Sequence, residues 1–322
     1  MTVSSFKTGY DGVSFLAGNA ANPPLARGLF GGGYVTSPGV VNVIDYVEIA
    51  TTGNAIDFGD LTVARYAIGG CSSQTRGLFG GGDLTGPSNQ NVIDYVTILT
   101  TGNAIDFGDL TVARNYMASF SNGTRGVWAG GGLGFAGDSL ENVIDYVTIA
   151  TIGNATDFGD LSTAQGYGVG GCSSSTRGVF AGGSTAGSEV ATNVMGYITI
   201  ATTGNSTSFG NLTTSRKEIN GGISSGTRGI FAGGGSNVID YITIASEGNA
   251  TDFGDLNGSA TGSASTSSTI RGITHLGNTG SFVNIIDYIT IATTGNATDF
   301  GDLTRTSYNS SAISNAHGGL AA

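Results

Sequence analysis

The same order of words returns six times along this chain. Each copy holds an Arg-Gly with an apolar pair, a glycine doublet, an Asp-Tyr inside a β-branched run, and a Gly-Asn turn ahead of Phe-Gly. The Arg-Gly falls at Arg27, Arg76, Arg125, Arg177, Arg228 and Arg271. The Asp-Tyr falls at Asp45, Asp94, Asp145, Asp240 and Asp287, with Gly196-Tyr197 in the fourth copy. The period is about 50 residues, the range of solenoids, propellers and arrays. A unit of this size cannot bury its apolar surface alone, so each copy must pack on its neighbours.

One copy reads as four short strands and no helix. Residues 92–98 (VIDYVTI) are β-branched and aromatic and suit a pleated surface. Thr101-Gly102-Asn103 follows as a tight turn, and residues 104–110 (AIDFGDL) form a second strand anchored by Phe107 and Leu110. Residues 116–120 (YMASF) are a third run, and residues 126–130 (GVWAG) a fourth that ends in glycine. No segment has a helical apolar period, and 57 glycines disfavour helices throughout. Four strands per copy is the arithmetic of a propeller blade. The expected fold is all-β: a six-bladed β-propeller of four-stranded antiparallel blades.

These words resemble the kelch repeat. The doublets Gly31-Gly32, Gly81-Gly82, Gly130-Gly131, Gly182-Gly183 and Gly233-Gly234 stand where kelch blades carry theirs. The resemblance runs from about residue 12 onward and has departures. Phe58, Phe107, Phe158, Phe209, Phe253 and Phe300 replace the kelch tryptophan, and the sixth copy has Leu276-Gly277-Asn278 at the doublet. The near-verbatim, Asn- and Thr-rich wording is similar to kelch-like proteins of phages of marine bacteria, often encoded among virion structural genes. That likeness implies a virion protein, made in a host cytoplasm.

In kelch order the innermost strands would be residues 66–72, 116–121, 167–173, 218–223 and 263–268, all poor in large side chains. Residues 308–317 keep the register of residues 116–125, so the C-terminal strand is expected to complete the first blade and close the ring. Residues 1–25 are then an arm, with 13–18 as the rival closing strand, and 26–322 form one propeller domain. Cys71 and Cys172 sit at matching places two copies apart, beyond disulfide reach, and are expected as free core thiols. The N-terminus lacks the continuous apolar stretch of a secretory signal, and no run is long enough to span a bilayer. A net charge of −11 argues against a nucleic-acid partner.

The chemistry-bearing motifs are thin. Asp-Phe-Gly, as at Asp106-Phe107-Gly108, returns five times in an outer strand without kinase companions and reads as structural; a calcium cage needs more clustered oxygens. His275 and His317 lie far apart with no visible partners, and no cofactor, metal site or catalytic device is expected. The sequons at Asn154, Asn249 and Asn296 arise from the repeat itself.

Two arginine sets remain. The Arg-Gly set (Arg76, Arg125, Arg177, Arg228 and their fellows) is expected to pair within each blade with Asp94, Asp145, Asp240 and their counterparts. The second set, Arg65, Arg114, Arg216 and Arg305, with Gln165 breaking the pattern, follows the outer strand and should ring the channel mouth. That face also carries the connections between second and third strands, which vary while the Gly-Asn turn stays nearly constant. Loops on a rigid scaffold are where recognition lives. Tyr34, Phe135 and Phe282 are the large apolar residues there, so these three and the four arginines form the expected binding face, suited to an anionic group.

The function expected is non-catalytic: a structural or binding propeller of a phage virion (tail, fibre or head surface) serving assembly or host attachment. Its partners would be other virion proteins or host-surface glycans, in several copies, without nucleic acid or membrane insertion. The alternative is a free-standing carbohydrate-binding propeller.

Overall fold

The computed structural model describes residues 25–85, 88–133, 139–185 and 190–320. The expected N-terminal arm, the rival closing strand at 13–18 and Phe135 fall outside the described residues. Six four-stranded antiparallel sheets form the ring. The second blade is representative, running outward through Gly69–Ser72, Arg76–Gly80, Val92–Thr97 and Ile105–Asp109. Blades three to six span 118–160, 170–216, 223–260 and 264–307. The first blade takes its inner strand from the far end of the chain: Ser311–Ser314 pairs with Arg27–Gly31, beside Val43–Glu48 and Ile56–Asp60. The C-terminal strand thus closes the ring.

The inner strands are shorter than the sequence predicts, beginning at Gly69 and Ala118 rather than at the tyrosines. The cause is one backbone position, two residues beyond the Arg65 position of each copy. There Ala67, Tyr116, Tyr167, Glu218, Gly262 and Asn309 all take φ between 54° and 62°. A left-handed residue cannot continue a strand. Its reward is a turn of the N–H toward the neighbouring blade: Ala67 donates to Asn309 O (2.8 Å), Tyr116 to Ala67 O (2.9 Å) and Asn309 to Gly262 O (2.9 Å).

The apolar clusters lie between blades, not at one centre. Leu78, Ile93 and Cys71 of the second blade, for example, pack with Phe107, Trp128 and Val147 around its junction with the third. The glycine of each Arg-Gly explains itself here. A Cβ on Gly77 would stand 2.1 Å from Ile313 Cδ1, and one on Gly126 2.4 Å from Cys71 Sγ, so inner-strand side chains of the preceding blade fill that space. Both cysteines are buried and free, and burial pushes their thiols up.

The constant Gly-Asn turn is an interblade staple. Gly102 N donates to Phe58 O (2.8 Å) in the preceding blade, and Asn103 Oδ1 accepts from Asp60 N (3.1 Å). The same pair of bonds recurs at all six junctions, ending with Gly53 N on Phe300 O and Asn54 Oδ1 on Asp302 N. Asn154, Asn249 and Asn296 serve this staple. Gly59 sits at φ 146°, with its Cβ position 2.5 Å from Gly102 O, so backbone meets backbone and only glycine fits.

Candidate functional site

The acid partners expected of the Arg-Gly set go to the second arginine set instead. Arg76 does not pair with Asp94. Its guanidinium lies over Tyr95 of the same blade, 4.5 Å from the ring centre, and donates to Ile149 O of the next blade (2.8 Å). Corresponding stacks place Arg27, Arg125, Arg177, Arg228 and Arg271 over Tyr46, Tyr146, Tyr197, Tyr241 and Tyr288 at 4.0–4.5 Å. The reason is strand geometry: Asp and Tyr are neighbours on one strand and point to opposite faces. Only Tyr faces its own blade's arginine.

Asp94 instead receives Arg65, which arrives from the preceding blade. Arg65 donates to Asp94 Oδ2 (2.7 Å) and to the carbonyls of Phe79, Gly81 and Val92, with both side chains fully buried. Thr62 completes the clamp through Oγ1 to Asp94 Oδ1 (2.5 Å). Arg114 clamps Asp145 and Arg216 clamps Asp240 in the same way. Arg305 starts two residues earlier in its copy yet reaches the equivalent place, on Asp45 and the carbonyls of Gly32 and Val43. The two irregularities in the sequence prove to be one. Gln165 faces the blade in which Gly196 replaces Asp, and its amide donates to Gly182 O while the Phe180 ring occupies the place of the carboxylate. A neutral residue stands opposite a missing acid.

The second arginine set therefore does not stand free at the channel mouth. Its charge is neutralised inside the ring, and the anion site expected on it is withdrawn. The desolvation of each guanidinium is tolerable only because the fork meets one carboxylate and several carbonyls at once.

The channel itself is closed to ligands. Ser72, Ser121, Ser173, Ser267 and Ser314 each donate a side-chain hydroxyl to a neighbouring blade's serine carbonyl, at 2.6–3.1 Å. The remaining space is about 40 Å³, room for little more than water. One end is stoppered by the single turn Gly318–Leu320, where Gly318 N donates to Ser224 Oγ and His317 meets Ser121 Oγ. Beyond the closing strand the chain thus ends in a plug among the described residues.

The opposite end is the loop face. Bridges between Tyr34 and Tyr308, Tyr66 and Asp83, and Asn115 and Gly132 tie the variable connections to the entries of the inner strands. Here the structure gathers six aromatic rings. Tyr34 meets Tyr66, Tyr308 and Phe282 edge-on at 5.6–6.2 Å, Phe282 stacks on Tyr308 at 4.6 Å, and Tyr116 stacks on Tyr167 at 5.2 Å. Tyr66 and Tyr116 are buried; Tyr34, Tyr167, Phe282 and Tyr308 are half-buried. Lys217 Nζ lies 4.5 Å from the Tyr167 ring centre, and Asn309 donates to the Tyr116 hydroxyl (2.8 Å). Burial and then the Glu218 carboxylate push the Tyr116 and Tyr308 phenols up, so these remain neutral hydrogen-bonding groups.

Of the residues expected at the face, Tyr34 and Phe282 are thus brought together. Tyr66, Tyr116, Tyr167 and Tyr308 were legible only as the starts of inner strands. Their place one or two residues beyond the Arg65 position of each copy, next to the arginines expected at the mouth, was the signal that they belong there. Comparison with models of known families and with curated proteins finds no match to this chain. The kelch likeness stays one of residue pattern, and the six-bladed propeller is what the structure adds.

Proposed function

We propose that this protein is a non-catalytic recognition propeller that holds a neutral surface glycan on the aromatic patch at its channel mouth. The observation that carries the reading is the convergence of Tyr34, Tyr167, Phe282 and Tyr308 as half-buried rings on the face with the variable loops. Flat aromatic surface beside hydroxyl and amide groups suits the C–H faces and hydroxyls of a sugar ring. Burial of the second arginine set removes the argument for an acidic glycan. The site offers rings and neutral phenols rather than a paired nucleophile and base, which supports binding without catalysis.

Within this reading the chain is a component of a phage particle, at the tail, fibre or head surface, serving host attachment. The near-verbatim repeats and their likeness to kelch-like phage proteins support that placement. Mass spectrometry of purified particles tests it; absence from them leaves the free-standing lectin reading. The glycan reading is tested by an array of neutral and acidic glycans. Tyr34→Ala with Phe282→Ala should lose at least tenfold in affinity, from stacking of about 1 kcal/mol per ring, while the protein still melts cooperatively well above the assay temperature. No glycan bound by the wild-type protein, or equal binding by the double variant, refutes it.

A further inference from the structure

Four interblade clamps seat an arginine on a buried acid, and the junction of the third and fourth blades lacks both charges; the one between the fifth and sixth blades keeps the acid but has no cation. An arginine reaches the buried acid from one of two backbone positions. Arg65, Arg114 and Arg216 use the position held in the fifth copy by Ala260, and Arg305 uses that held by Gly258. Both are blank in this copy. The acid is nevertheless present. Asp287 is 1% exposed, and its carboxylate takes only Asn257 N (2.8 Å) and Asn257 Nδ2 (2.7 Å). Among the described residues no cation pairs with it. Its counterparts in four blades each receive a guanidinium at 2.7–2.9 Å on Oδ2 as well.

The surroundings are cut back too. Where the other blades place Phe30, Phe79, Trp128, Phe180 and Phe231, the sixth has Thr274. Beside Asp287 lies an open groove of about 480 Å³, lined by Asn257, Gly258, Leu276, Ile285, Asp287 and Asp299. In register, Leu276 and Ile285 are the counterparts of Gly81 and Val92, whose carbonyls accept from Arg65. Desolvation, and then the Asp299 carboxylate nearby, raise Asp287 above the usual carboxylate range.

We propose that the groove between the fifth and sixth blades binds a guanidinium group supplied from outside the chain, seated on Asp287 where the other blades seat their own arginine. The acceptor set favours a planar fork over an ammonium point charge, because one carboxylate and several strand carbonyls surround the same place. Two sources share this chemistry: a small guanidino compound, or an arginine side chain presented by another polypeptide.

The test uses the full chain and two probes with the same alkyl group, ethylguanidinium and ethylammonium, at fixed ionic strength and well below denaturing concentrations. Ethylguanidinium should raise the melting temperature saturably and perturb the amide resonances of Gly258 and Asp287, with at least fivefold preference over ethylammonium. Gly258→Arg should supply the missing group internally, since its Cβ position has no atom nearer than 3.6 Å. That variant should melt higher than wild type and lose ethylguanidinium binding at least tenfold. Asp287→Asn should lose binding as well, and if it fails to fold, Gly258→Arg carries the test alone. A blocked arginine tripeptide that binds tighter than ethylguanidinium assigns a polypeptide source; equal binding assigns a small compound. No saturable binding, no preference over ethylammonium, or undiminished binding by Gly258→Arg overturns the proposal.

Discussion

The fourth blade shows how an interblade clamp can be removed, and this yields a quantitative prediction for the third. Arg114 donates to Asp145 Oδ2 (2.8 Å), Gly130 O (2.7 Å) and Trp128 O (3.2 Å), with both ionic side chains fully buried. Replacing either partner leaves a charge in the interior without its counter-charge. That change typically costs about 3–5 kcal/mol. Arg114→Gln keeps one donor for a carbonyl, as Gln165 does for Gly182 O, but strands the carboxylate; about 3 kcal/mol is expected. Asp145→Gly strands the guanidinium and adds a flexible residue to a strand, about 3–4 kcal/mol. The double variant rebuilds the pairing of Gln165 with Gly196. It leaves no buried charge, but no ring covers the glycine as Phe180 covers Gly196. Its expected cost is about 3 kcal/mol, so the coupling is about 3 kcal/mol, at the upper end for contacting residues. Urea denaturation at neutral pH of the four proteins, with the slope checked for constancy, measures it. Additivity within about 0.5 kcal/mol would show that the pair is not one unit and would refute the clamp.

Three further outcomes follow from the same geometry. Deleting residues 311–322 removes the inner strand of the first blade and exposes two sheet edges, so cooperative unfolding should be lost and the protein should aggregate; a sharp unchanged melt would refute closure by this strand. Gly108→Ala places a Cβ 2.6 Å from the Gly153 backbone at φ 144°, and should destabilise by about 2–4 kcal/mol, against about 1 kcal/mol for Gly235→Asn, where the Cβ position is open and Asn tolerates the positive φ. His275 is buried and pulled down to about 4 by desolvation. Its folded pKa lies below the unfolded value near 6.5, so the unfolded chain binds the proton first and stability falls as pH drops from about 6.5 to about 4. This loss reaches about 3 kcal/mol from His275, and His317, pulled down to about 4 by the same desolvation, adds to it. His275→Gln should therefore roughly halve the slope across that window; an unchanged slope would refute the assignment.

Much of this architecture was legible because the repeat carries it. The strand words, the six copies and the in-register C-terminal segment imply six blades and their closure, since local pattern and period are properties of the chain alone. The constant Gly-Asn turn was visible, but not its reason: the bonds to Phe58 O and Asp60 N cross to another blade. The mouth was half legible. Tyr34 and Phe282 stood out as loop aromatics, whereas Tyr308, nearly at the other end of the chain, meets Tyr34 only because the ring closes.

The charges divide the matter most clearly. Sequence alone determines that the repeat has two arginine positions and an acid before its tyrosine, that Gln165 breaks the second arginine set, and that the fourth copy lacks that acid. Which cation meets which acid belongs to the tertiary structure. Asp94 and Tyr95 point to opposite faces of one strand, so Tyr95 takes Arg76 of its own blade and Asp94 takes Arg65 of the blade before. Packing between blades also decides that Gln165 and Gly196 answer one another, and that Asp287 is left buried without a cation. A side chain's partner across a junction depends on the angle at which rigid sheets pack, and no spacing along the chain encodes that angle.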